Sequence, residues 1–142
     1  MSKLSVTLLL PSVLLLFACS TPTLPYEEIS KHYVYQLASY ESDPNFQTNI
    51  HTSIKLNIPF FKQFYDMGIK DKHDNISNED YVKKIAYFST PEFLNSINAK
   101  EQYISEKVHV ETVSGANKSN IEKKIMSESI IAAYKAGYQT IQ

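Results

Sequence analysis

Four histidines, at 32, 51, 73 and 109, a single cysteine at 19 and a few acidic clusters are the residues of this 142-residue chain that could carry polar chemistry. A metal site needs several such ligands at short fixed spacing, and no histidine has a second one at that spacing. Glu28 and His32 stand one helical turn apart and read as a surface ion pair rather than as one edge of a metal site. Asp71-Lys72-His73-Asp74-Asn75 superficially resembles a calcium loop. With Asp71 as position one, however, Ile76 falls where the tight turn needs glycine, and Val82 where a bidentate acid belongs. A solvated, acid-rich connection between helices is the expectation there. Glu27-Glu28 and Glu79-Asp80 sit where helices should begin, so capping and the helix dipole explain them better than an acid/base pair. Lys83-Lys84 and Lys123-Lys124 read as solvated helix faces, with a minor role near anionic lipid. Glycine occurs only at 68, 115 and 137, too sparsely for a phosphate-cradling loop or a nucleophile elbow. The expectation is therefore a protein that is not an enzyme, with no cofactor, no metal and no small-molecule substrate.

Tyrosine is the one skewed residue type, with ten copies. Tyr33-Val34-Tyr35 sends adjacent rings to different sides of a helix, so the rings cannot all line one core stripe. A ring with one wet end suits the boundary of a core and equally a protein interface. Tyr33, Tyr35 and Tyr40 are the candidate partner-binding face, set against ordinary packing.

Composition narrows the classes further. Hydrophobic residues make up 43% and charged residues 20%, which fits neither a disordered chain nor a polytopic membrane protein. There is no arginine, so the planar fork that clamps phosphate and reads guanine is missing, and no nucleic-acid partner is expected.

At the N-terminus, Lys3 precedes an apolar run from Leu4 to Phe17 that Pro11 interrupts. The run is short of the roughly twenty residues that cross about 30 Å of hydrocarbon, and it reads as an export signal. It stops at Leu16-Phe17-Ala18-Cys19, which resembles the lipobox of bacterial lipoproteins. That resemblance implies cleavage between Ala18 and Cys19, two fatty chains of the palmitate type on the Cys19 sulfur, and a third on its new amino group. It also implies, from Ser20 at the second mature position, sorting to the outer membrane on its periplasmic side, with the periplasmic face of the inner membrane as the alternative. One chain holds a protein only marginally, at about 0.8 kcal/mol per buried CH2, whereas two or more make release negligible. With no second cysteine, no intramolecular disulfide can form. Removing residues 1–18 leaves 142 − 18 = 124 residues with net charge 13 − 15 = −2, enough for one core.

The elements that must position these residues are legible by spacing. Residues 19–25 are small, polar and proline-punctuated and read as a tether, followed by a helical domain over 26–142. Tyr26, Ile29, Tyr33, Leu37 and Tyr40 predict a helix over 26–41. Asp43-Pro44 should cap a second helix whose stripe runs through Phe46, Ile50, Ile54, Ile58, Phe61 and Phe64 or Tyr65 to a stop at Gly68, with a kink or split at Pro59. Lys70 to Asn75 should be a charged loop. Ser77 should cap a helix facing inward through Tyr81, Ile85 and Phe88, and Thr90-Pro91-Glu92 another through Phe93 and Ile97. Gln102 to Val113 alternates with period two at Val108 and Val110, so strand or loop competes with helix. Ser119-Asn-Ile-Glu122 is a capping box that opens a last helix, with Ile121, Ile125, Ile130 and Ala133 or Tyr134 inward and an end at Gly137. The fold class expected is all-α, a small bundle of four or five helices.

Three stretches, Lys31-His-Tyr-Val-Tyr-Gln-Leu-Ala-Ser-Tyr-Glu-Ser-Asp43 with Phe46 and Ile50, Tyr87-Phe-Ser-Thr-Pro-Glu-Phe93 and Ala133-Tyr-Lys-Ala-Gly-Tyr138, together with the lipobox, resemble the small entry-exclusion-type lipoproteins of colicin-type plasmids and their chromosomal relatives. The resemblance implies an envelope lipoprotein that makes its host a poor recipient for a related plasmid, acting by binding an unidentified envelope protein. A pilotin-like assembly lipoprotein for a secretion system is the alternative, and an envelope enzyme the third class.

Overall fold

The computed structural model describes residues 23–40, 49–104 and 108–140. Cys19, Ala18 and the Asp43-Pro44 cap lie outside them. Among the described residues, five helices make the body: α1 Pro25–Tyr40, α2 Ile50–His73, α3 Asn78–Tyr87, α4 Pro91–Ser96 and α5 Asn120–Gln139. The fold is all-α, a small bundle. Between α4 and α5 the chain forms an antiparallel hairpin, β1 Asn98–Ile104 with β2 Val108–Ser114, in which Asn98 stands opposite Ser114 and Ile104 opposite Val108. Of the readings open for 102–113, the described residues 102–104 and 108–113 take strand rather than helix.

The caps formed where local sequence demands them. Ser77 Oγ accepts from the Asp80 backbone N–H at 3.0 Å, and Thr90 Oγ1 from Phe93 N–H at 3.3 Å. At the start of α5, Ser119 Oγ accepts from Glu122 N–H at 3.3 Å while the Glu122 carboxylate accepts from Ser119 N–H at 2.7 Å. Burial pushes the Glu122 carboxyl up, but the Ser119 hydrogen bonds and the charge of Lys118 outweigh it and hold the group below its ordinary range.

α2 departs from expectation at three places. It passes through Pro59 as one helix of 24 residues. Proline in a helix interior costs about 3 kcal/mol, but the carbonyl robbed of its partner is that of Lys55, and both Lys55 and Pro59 are exposed, so water can satisfy it. The helix also passes through Gly68 and continues to His73, so residues 70–73 are helical rather than loop. The left-handed stop belongs to Asn75, at φ 51°. Ile76 N–H returns to Asp71 O and Asn75 N–H to Lys72 O, both at 3.2 Å, the paired bonds of a Schellman ending.

Gly68 has a different task. A methyl group there would lie 2.1 Å from the Tyr134 carbonyl oxygen, and one on Gly137 would lie 1.9 Å from that of Tyr65. The two glycines are the point where α2 and α5 cross backbone to backbone. Gly137 therefore does not end α5, which continues to Gln139. Ser30, buried at the contact of α1 with α2, plays a similar part, its hydroxyl donating to the Ile54 carbonyl at 2.8 Å.

Around this crossing the core is strongly aromatic. Tyr33 meets Phe61 edge-on at 5.1 Å, Phe64 meets Phe88 at 5.6 Å, and Phe88 meets Tyr134 at 5.4 Å, the offset geometry that ring quadrupoles favour. Ala133 and Tyr134 are both fully buried, whereas Ile121, placed inward by its spacing, is exposed on the first turn of α5.

Candidate functional site

The three tyrosines singled out on α1 do not share a face. Tyr33 is 2% exposed and belongs to the core, so it is no part of a partner-binding surface. Its position continues the Tyr26, Ser30, Leu37 stripe, which faces α2. Tyr35 and Tyr40 do face solvent, at 47% and 64% exposure. At about 100° per residue, however, they stand about 140° apart around the helix.

A groove of about 460 Å3 runs between α1 and α5, lined by Glu28, Ile29, His32 and Gln36 on one side and Glu128, Ser129 and Ala132 on the other. Its rim charges are locally paired: Glu28 with Lys31 at 3.8 Å and Glu128 with Lys124 at 3.9 Å. The cation beside Glu28 is thus Lys31, on the same helix three residues on, rather than His32. Such exposed pairs contribute little to stability, and they leave a groove with acidic walls over Ile29 and Ala132.

A polar cluster that reaches into the core was not foreseen. Asp71, expected in a solvated loop, is 6% exposed. Its Oδ2 accepts from Lys84 Nζ at 2.6 Å and from the Tyr134 hydroxyl at 2.7 Å. Lys84 also lies 5.9 Å from the centre of the Tyr134 ring, and Tyr81 stacks on that ring at 5.8 Å. Lys84 is consequently a half-buried partner of Asp71 rather than part of a solvated face. Lys83, beside it, keeps to the expectation, paired with Glu79 at 2.6 Å on the surface. α3 has no fully buried residue of its own; this ion pair, the partly buried Tyr81 and Ile85, and Phe88 at its end join it to the bundle. Residues 71, 84 and 134 are far apart in sequence, which hid the cluster. One signal was present: Phe61, Phe64, Gly68 and Asp71 continue a single stripe at spacings of three and four.

Chemically, the cluster holds protons in place. Burial first, and the Asp71 carboxylate second, push the Tyr134 hydroxyl well above its ordinary value of 10.0. Tyr134 therefore stays a hydrogen-bond donor and cannot serve as a base near neutrality. The sign of the pH dependence follows. Tyr134 keeps its proton in the folded state where the unfolded chain would lose it, so its contribution is complete below pH 10 and declines as pH rises above that. Unfolding free energy should fall above pH 10 with a Tyr134 component that steepens toward a limit of about 1.4 kcal/mol per pH unit. Urea titrations of native protein and Tyr134→Phe across pH 9 to 11 should show the shallower decline in the variant; parallel declines would refute the assignment.

The acids at helix starts behave as caps. Glu27 accepts from Leu24 N–H at 3.1 Å at the beginning of α1, and Asp80 accepts from the Ser77 hydroxyl at 2.7 Å. Asp74, at the end of α2, is held below its ordinary range by hydrogen bonds from Lys70 and then His73.

No known protein family, curated protein or solved structure matches the chain. Among the described residues, no helix is long and apolar enough to cross a membrane.

Proposed function

We propose that this chain is a lipid-anchored envelope protein that acts by binding another protein, in the manner of the exclusion lipoproteins its sequence resembles. The reading rests on one observation: Leu16-Phe17-Ala18-Cys19 closes an export-type segment and leads, 25 − 19 = 6 residues later, into the first helix of a small bundle. Acyl chains on Cys19 would fasten that bundle to the membrane. Ser20 favours the outer membrane. The exposed Tyr35 and Tyr40 and the α1/α5 groove supply contact area on the helix nearest the anchor. Plasmid exclusion is the role, carried by the resemblance of the three aromatic stretches. The groove also favours a second reading, a pilotin-like factor that captures a partner helix or peptide over Ile29 and Ala132.

The test compares cells carrying the native gene with cells carrying Cys19→Ala. Native protein should fractionate with membranes, its first mature residue an acylated Cys19 by mass spectrometry, and should lower the frequency at which its host receives a related plasmid. Cys19→Ala should leave the membrane fraction or keep residues 1–18, and should lose exclusion. An unmodified thiol in the native product would overturn the anchor. Unchanged recipient frequency together with a mislocalised secretion ring in a deletion strain would favour the pilotin reading.

A further inference from the structure

The geometry points to one end of the bundle as the surface that lies against the membrane, with anionic lipid headgroups as its ligand; this rests on the Cys19 anchor proposed above. Six residues of chain, however arranged, span at most roughly 20 Å, so the start of α1 cannot stand farther than that from the acylated cysteine. α2 and α5 meet that same place. Tyr26 stacks edge-on to Tyr65 at 5.3 Å, and the Tyr65 hydroxyl is 2.9 Å from Thr140 Oγ1, just beyond the end of α5. Thr140 in turn lines an open groove of about 590 Å3 with Ile69, Lys72, His73 and Tyr138. The start of α1, the last turns of α2 and the end of α5 thus pack together next to the tether, joined through the buried Tyr26 and Tyr65.

Its chemistry suits a headgroup layer. Lys62 lies 5.8 Å from the Tyr26 ring centre and Lys72 lies 5.2 Å from that of Tyr138, both ammonium groups on exposed residues. Leu24 is exposed at the start of α1. Long cationic side chains laid over tyrosine rings match the gradient from acyl chain to phosphate, where amphipathic rings and snorkelling lysines concentrate. A simpler account of the cations at the end of α2 is compensation of its helix dipole. That account covers Lys70, Lys72 and His73, all in the last turn, but not Lys62, which stands two turns earlier and against α1. Asp66, Asp74 and, in the first turn of α1, Glu27 offset the positive charge, so the surface would contribute little attraction of its own. Its contribution is orientation: the acyl chains hold the protein, and Lys62, Lys72 and Tyr138 decide which end faces lipid, leaving the start of α5 toward the aqueous side.

The experiment uses the full acylated protein in vesicles of phosphatidylethanolamine and phosphatidylglycerol. Acylation blocks the Cys19 thiol, so a cysteine introduced as Gln139→Cys or Ile121→Cys takes a fluorophore alone; the two positions lie about 27 Å apart along α5. Quenchers attached to lipid should quench the label at 139 several-fold more than the label at 121. Lys62→Glu/Lys72→Glu should reduce that contrast while the protein stays vesicle-bound, and vesicles of phosphatidylcholine alone should reduce it likewise. Equal quenching at the two positions, with acylation confirmed by mass, overturns the inference and leaves the anchor intact. Protection of 139 that persists in detergent would indicate a protein partner or a second copy there and would also overturn it. Loss of the acyl groups from the starting material would instead overturn the anchor, and the inference with it.

Discussion

Gly137→Ala is expected to destabilise the protein by about 2–3 kcal/mol and to lower Tm by roughly 10 °C, although alanine is the better helix former by about 1 kcal/mol. On an exposed stretch of helix the same change would stabilise, so the sign of the effect is diagnostic. Here the new methyl group would fall 1.9 Å from Tyr65 O and 2.7 Å from Tyr65 C, which are backbone atoms with no rotamer to change. Relief requires α2 and α5 to move apart, and separation loosens Phe61, Phe64 and Tyr134 together because interiors are close-packed. Gly68→Ala should act likewise, against Tyr134 O and Tyr138 N. The double variant should cost less than the sum of the two, since one separation of the helices relieves both clashes. Urea unfolding at neutral pH measures all three. Stability of Gly137→Ala equal to or above the native value would rule out the backbone crossing.

The second large effect is expected at the polar cluster. Asp71→Leu would leave the fully buried Tyr134 hydroxyl without its acceptor and Lys84 half-buried without its partner. Breaking a buried pair by removing one member typically costs 3–5 kcal/mol, but Lys84 keeps a third of its side chain exposed and can turn to water, so about 2–3 kcal/mol is the appropriate expectation. The decisive comparison is with Asp71→Leu/Lys84→Met/Tyr134→Phe, which replaces every member by an apolar group of similar volume. That variant should recover most of the loss, because desolvating the charges is itself unfavourable. Additive losses across the three substitutions would show that the groups do not act as one unit. Amide exchange adds a spatial readout: Asp71→Leu should speed exchange in residues 78–87 more than in α5, since α3 otherwise packs only through partly buried side chains such as Tyr81 and Ile85.

Both effects arise where local pattern was a poor guide. Gly68 and Gly137 satisfy the local rule for a helix stop, a glycine following a periodic stripe, and both are helical. Local sequence cannot tell a glycine that permits a left-handed turn from one that admits a neighbouring backbone, since the second depends on a chain segment some seventy positions away. Asn75 took the left-handed role instead, helped by the tolerance of short amide side chains for that conformation. Asp71 shows the same limit in electrostatic form. An aspartate in a charged run looks solvated until Lys84 and Tyr134 are brought to it from other helices.

Much else was legible because its physics is local. The Ser77 and Thr90 caps and the Ser119–Glu122 box depend on groups three or four residues apart and formed where the spacing placed them, as did the α1 stripe through Tyr26, Tyr33 and Leu37, whereas Tyr40, expected on that stripe, is exposed. The all-α class follows from the same periodicities. Which tyrosines are core and which are surface, that Pro59 is tolerated within a single helix, and that three remote residues share one buried oxygen were set by long-range packing. Burial and backbone approach are properties of segments that meet only after the chain has folded, whereas hydrogen bonds within one helical turn are already implied by residue order.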